Sequence, residues 1–107
     1  MDRLRVGPSG ALRVIRVVNI GSYLIAHNSI QCGWAQAQGI GVFSQFAEWP
    51  TKGAIVEDND VTKSPPEDTA FGPDSAGIGI KGFAQDNVVL NNRIRCRAKA
   101  AVSVDVF

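Results

Sequence analysis

The stretch "NVVLNNRIRC" at residues 87–96 has two earlier echoes, "YLIAHNSIQC" at 23–32 and "AIVEDNDVTK" at 54–63. Aligned on Asn28, Asn59 and Asn92, the flanking apolar columns agree. Ile25, Val56 and Val89 stand three residues before the Asn, Leu24, Ile55 and Val88 four before, and Ile30, Val61 and Ile94 two after. The asparagines are separated by 31 and then 33 residues. A second pattern interleaves with the first: "VIRV" (14–17), "GIGV" (39–42), "GIGI" (77–80) and "AVSV" (101–104) each alternate apolar with small or polar residues. Each repeat therefore carries at least two short strands.

A fixed period built of short β-type runs, with no helical periodicity, marks units that stack on their neighbours because none can bury its apolar face alone. The Asn column has a physical reading of its own. The apolar positions at minus three and plus two are an odd distance apart, so a straight strand sends them to opposite faces. If both face a core, the chain bends between them. A one-residue bend uses left-handed backbone angles, which Asn tolerates best among residues with a side chain. Asn28, Asn59 and Asn92 are therefore the expected bend residues, and stacked at the strand spacing they could hydrogen-bond into a ladder. Asn91 has no such role in this reading.

These residues, "AHNSI", "EDNDV", "NNRI", "GIGV" and "GIGI", resemble the right-handed parallel β-helix family with the pectin-lyase-like fold and its generic "N-x-I" turn, over roughly residues 12–106. The resemblance implies an all-β fold, a single-stranded right-handed parallel β-helix (solenoid) of about three to three and a half coils. Residues 1–107 are then one β-helix domain, or a fragment or terminal part of a longer solenoid. Strands of a β-sandwich are the competing arrangement.

Eleven basic and ten acidic side chains leave a formal charge of +1. Phosphate binding needs a concentrated basic surface, so nucleic acid is not expected as a partner. Arg13 and Arg16 interrupt the apolar start before a signal-type core or membrane span can form, and no membrane association is expected. The compartment is left open, although the resemblance implies an extracytoplasmic setting if the chain belongs to a longer protein. Cys32 and Cys96 are the only thiols and His27 the only imidazole, too few for a four-ligand zinc site. The two cysteines fall two coils apart, roughly 9–10 Å at the strand spacing. That exceeds the approximately 7 Å limit for a bridge, so they read as small fillers. "GIGIKG" (77–82) matches a dinucleotide-binding pattern, but a strand and not a helix follows it.

The loops are unequal. The longest, "KSPPEDTAFGPDSA" (63–76), carries Glu67, Asp68 and Asp74, and insertions of this kind collect on one face and line binding surfaces. Trp34 in "CGWAQAQ" and Trp49 in "FSQFAEWPTK" could stack on sugar rings or simply cover the flank. One position after the Asn column come Ser29, Asp60 and Arg93, so Asp60 and Arg93 should be neighbours on adjacent coils. They form either a surface ion pair or part of a site. The candidate ligand-binding set is thus Trp34, Trp49, Asp60, Glu67, Asp68, Asp74 and Arg93, and no catalytic residue is assigned.

Two functions compete. One is a noncatalytic repeat module that binds carbohydrate or serves in structure and assembly. The other is a polysaccharide-active enzyme, lyase or glycoside hydrolase, or a fragment of one. No cofactor is expected, apart from calcium if the chain is a polysaccharide lyase, since lyases of the family combine calcium-binding acids with a proton-abstracting basic residue, a role for which Arg93 or Arg95 would be the candidate here. The expected partners are a polysaccharide and further copies of the chain, because "AAVSVDVF" (100–107) would expose a strand edge.

Overall fold

The computed structural model describes residues 4–18, 22–33, 38–65, 70 and 75–106. All its regular elements are strands. The first layer holds β1 (Leu4–Val6), β2 (Ala11–Leu12) and β3 (Ile15–Val18). The second holds β4 (Tyr23–Ala26), β5 (Ser29–Cys32) and β6 (Gln38–Ser44). The third holds β7 (Thr51–Lys52), β8 (Ile55–Glu57), β9 (Asp60–Lys63) and β10 (Ala76–Gly82). The last holds β11 (Ala84–Gln85), β12 (Val88–Leu90), β13 (Arg93–Cys96) and β14 (Ala100–Val106).

Every pairing is parallel, and equivalent strands of successive layers lie side by side. The sheets run β1-β4-β8-β12, β13-β9-β5-β2, β14-β10-β6-β3 and the two-stranded β11-β7. The registers are those of the sequence columns. Ile25, Val56 and Val89 align, as do Ile30, Val61 and Ile94. Ile15, Ile40, Ile78 and Val102 form a third column, and Val17, Val42, Ile80 and Val104 a fourth. Except for Val102 and Val104 in the last layer, their side chains meet in one core with Tyr23 and Ala54.

The expectation of a single-stranded β-helix (solenoid) of three to three and a half coils is corrected here. The all-β class holds, but the strands are divided among four short, separate parallel sheets rather than one solenoid. The division has a local cause. His27, Asp58, Asp86 and Asn91 have φ of 61°, 54°, 54° and 54°, and a left-handed residue ends the pleat and turns the chain. Among the described residues no strand outlasts seven residues, so each hydrogen-bonded ladder stops at a corner.

The bend is also displaced by one residue from its expected place. The left-handed residues are His27, Asp58 and Asn91, each immediately before the repeated Asn. Asn28, Asn59 and Asn92 instead turn their side chains into the stack. Asn28 donates its backbone N–H and its Nδ2 to Oδ1 of Asn59, each at 3.0 Å. Asn59 repeats the arrangement on Asn92. The spare amide hydrogens go to carbonyls of the neighbouring layer, Asn59 Nδ2 to Ile25 and Asn92 Nδ2 to Val56. A buried primary amide is costly without partners, and the ladder supplies Asn59 with them on both its donor and acceptor sides.

Candidate functional site

The described part of the predicted site is Trp49, Asp60 and Arg93. Trp34, Glu67, Asp68 and Asp74 lie outside the described residues. Trp49 sits between β6 and β7, 61% exposed for its residue, with its ring edge-on to Phe46 at 5.5 Å. Asp60 and Arg93 are on a different sheet, where they are register partners on β9 and β13 as expected. The ion pair, however, is made by Arg95. Its guanidinium donates to Asp60 Oδ1 at 3.2 Å and to Thr62 Oγ1 at 3.3 Å. Arg95 reaches diagonally because its own register partner is Thr62. With 56% and 43% of the two side chains exposed, solvent screening holds the pair to at most about 1 kcal/mol.

Among the described residues no three or more His, Cys, Asp or Glu side chains gather where they could hold a metal ion. Neither Cys32 nor Cys96 is in a disulfide. Between them in register stands Lys63, fully buried. Sequence reasoning missed this lysine, although strict alternation from the inward Val61 pointed to it. It lies beside a depression of about 440 Å³ lined also by Thr62, Ser64, Pro65, Cys96 and Arg97. On the outer face of the β14-β10-β6-β3 sheet, Gly41 and Gly79 floor a smaller groove of about 140 Å³ between Arg16, Gln38, Phe43 and Lys81.

The most distinctive surface is the last layer. β12, β13 and β14 each end their sheet, so the outer backbone edges of three sheets face the same way with no described strand beyond them. The columns show how open this end is. Ile78 and Ile80 are 0% and 4% exposed, while Val102 and Val104, next in the same columns, are 42% and 65% exposed. The opposite end is different, for Ile15 and Val17 in the first layer are only 7% and 5% exposed. Val106 extends this apolar surface, while Val88 and Leu90 are exposed on the outward side of β12. Ile80, Ala84, Val89, Val102, Val104 and Val106 line an open cleft of about 320 Å³ where the core reaches the surface.

Chemically this end offers two things. It carries apolar side chains at core positions with no described strand stacked on them, and strand edges with no described partner strand. Together they form a template for another β layer. Of the charged groups on β13, Arg93 and Arg95 point outward around the rim, leaving the centre apolar.

In comparisons with protein-family models, curated proteins and solved structures, nothing matched the chain. Among the described residues the fold is all-β, built of short parallel sheets, with the core columns left exposed in the last layer. Among the described residues no helix is long and apolar enough to cross a membrane.

Proposed function

We propose that this chain is a noncatalytic parallel-β repeat module with a structural role in assembly, acting through its last layer of strands. The observation that carries the reading is the loss of cover along the core columns, from the buried Ile78 and Ile80 to the exposed Val102 and Val104. An apolar surface of core composition beside unpaired strand edges is a docking surface in a working protein and an aggregation hazard otherwise. The test is sedimentation equilibrium across a wide concentration range, run beside absorbance at about 235 nm on acidic polysaccharides, the region where unsaturated uronide products of a lyase absorb. Mass rising with concentration and a flat absorbance trace are expected. A growing absorbance would move the reading to a polysaccharide lyase, with Arg93 and Arg95 as the first residues to replace.

Carbohydrate binding is the second reading, favoured by the exposed Trp49 beside Phe46. An indole face held edge-on by a second ring is a rigid platform for a sugar. Retention on a glycan array that Trp49→Ala abolishes would support it, and retention unchanged by that substitution would remove Trp49 from the account.

A further inference from the structure

We infer that the open end docks on the open end of a second copy of this chain, giving a closed two-fold dimer centred on β14. The inference rests on the assembly reading and specifies its partner and geometry.

The area is sufficient. The molecule measures 42 × 29 × 18 Å, and the shortest dimension corresponds to the four stacked layers. The end face is then an ellipse of at most roughly 950 Å², against the about 800 Å² that each partner buries in a stable complex.

The pairing is determined by the chain's winding. Two copies meeting by their last layers wind in opposite senses when viewed from one side, so every pair of facing strands runs antiparallel. A two-fold axis across the middle of β14 sets β14 against itself. The midpoint of Ala100–Val106 is Ser103, so Val102 of one copy lies opposite Val104 of the other, both on the core face. The same axis brings β12 of each copy to β13 of the other. The exposed valines then gain neighbours like those of Ile78 and Ile80, and a self-complementary patch of this kind closes at two.

Head-to-tail stacking is disfavoured by the first layer. Two of its core-column residues, Ile15 and Val17, are already covered. Between Val6 and Ala11 the first layer carries one residue more than the second has between Ile25 and Ser29, so its edge is out of step. Pro8 within that bulge has no N–H to offer. Continuing the register of Gln31, Thr62 and Arg95 onto the next copy would set Arg95 beside Arg13, like charge against like.

The experiment uses Ser103→Cys in a Cys96→Ser background, oxidised with copper phenanthroline. Directly opposed antiparallel residues have Cα atoms about 4.5–5.5 Å apart, within the reach of a disulfide. The expected result is a two-chain product with Ser103→Cys alone and none with Arg16→Cys alone. Val104→Lys, at a side chain already mostly exposed, should keep the far-UV spectrum and sediment as a single chain at concentrations where the unsubstituted protein is a dimer. Mass that rises without the Ser103→Cys product, or a product formed only on mixing Ser103→Cys with Arg16→Cys, overturns the two-fold geometry and leaves the assembly reading standing. A single-chain mass at every concentration overturns both.

Discussion

Asn59 donates its backbone N–H and its side-chain Nδ2 to one acceptor, the Oδ1 of Asn92, at 3.0 and 2.9 Å. The same residue accepts both donors of Asn28 on its own Oδ1. It is thus the middle rung of a ladder that ties three layers together within the molecule. Parallel ladders alone leave the corner backbone groups without partners, and the asparagine amide supplies them there.

Replacing Asn59 by Val should therefore be severe. The change removes four side-chain hydrogen bonds and leaves the backbone N–H of Asn28 and the carbonyl of Ile25 buried without partners. Each orphaned group costs about 1–3 kcal/mol, so a loss of at least about 2 kcal/mol is expected in urea denaturation. A loss under about 1 kcal/mol would mean that the ladder contributes little.

Asn91 carries the bend itself, with φ of 54°. Asn91→Val should cost about 1–2 kcal/mol, because a β-branched side chain is poorly accommodated in the left-handed region. Asn91→Gly should stay within about 1 kcal/mol of the unsubstituted protein. Thermal melts of the pair decide the point, and equal midpoints for both variants would contradict a left-handed residue at this corner.

The columns were legible in the sequence because burial repeats faithfully: the same apolar positions recur at Ile25, Val56 and Val89, and stacking in register follows directly. The bend was misplaced by one for an instructive reason. The repeated Asn attracts the assignment, yet the residue before it, variously His27, Asp58 or Asn91, is also of a type that tolerates left-handed angles. A second corner of the same kind, Asp86 followed by Asn87, was overlooked, although Asn87 Oδ1 accepts the N–H of Ala54 at 2.9 Å. Of the first layer the sequence showed only the "VIRV" run of β3, because no repeated Asn marks the corner between β1 and β2. The site was the least legible part. A diagonal contact such as Arg95 to Asp60 depends on side-chain reach rather than register, and the openness of the last layer depends on what stacks above it.

The start of the ladder can be extended. Asn28 Oδ1 is buried and without a hydrogen-bond partner. The residue in line with Asn28 in the first layer is Gly10, since Ala11 pairs with Ser29, and a Cβ at Gly10 meets nothing within 4 Å. Gly10→Asn should supply the missing donor and stabilise by about 1 kcal/mol beyond Gly10→Ala, the net worth of one such bond. No difference between the two variants in chemical denaturation would show that the chain at Gly10 cannot adopt the rung geometry.

The chain's sole tyrosine, Tyr23, is fully buried and shares a 2.7 Å hydrogen bond with Thr51 Oγ1. Burial raises its pKa above 10.0, and the bond to Thr51 only partly offsets that. The folded protein therefore holds the phenolic proton more tightly than the unfolded chain does. The corresponding stability is fully present below about pH 10 and is lost as pH rises through the folded-state value. Urea midpoints should fall above pH 10 more steeply for the unsubstituted protein than for Tyr23→Phe, and phenolate absorbance should appear together with unfolding. Parallel alkaline losses in the two proteins would contradict the buried phenol.

The most direct measurement of the assembly account is amide hydrogen exchange followed against protein concentration. Residues 88–106 should become more protected as concentration rises, most strongly along Ala100–Val106, while Leu4–Leu12 stay unchanged. Exchange at the last layer that is independent of concentration would contradict the claim that this end of the molecule is built to be covered.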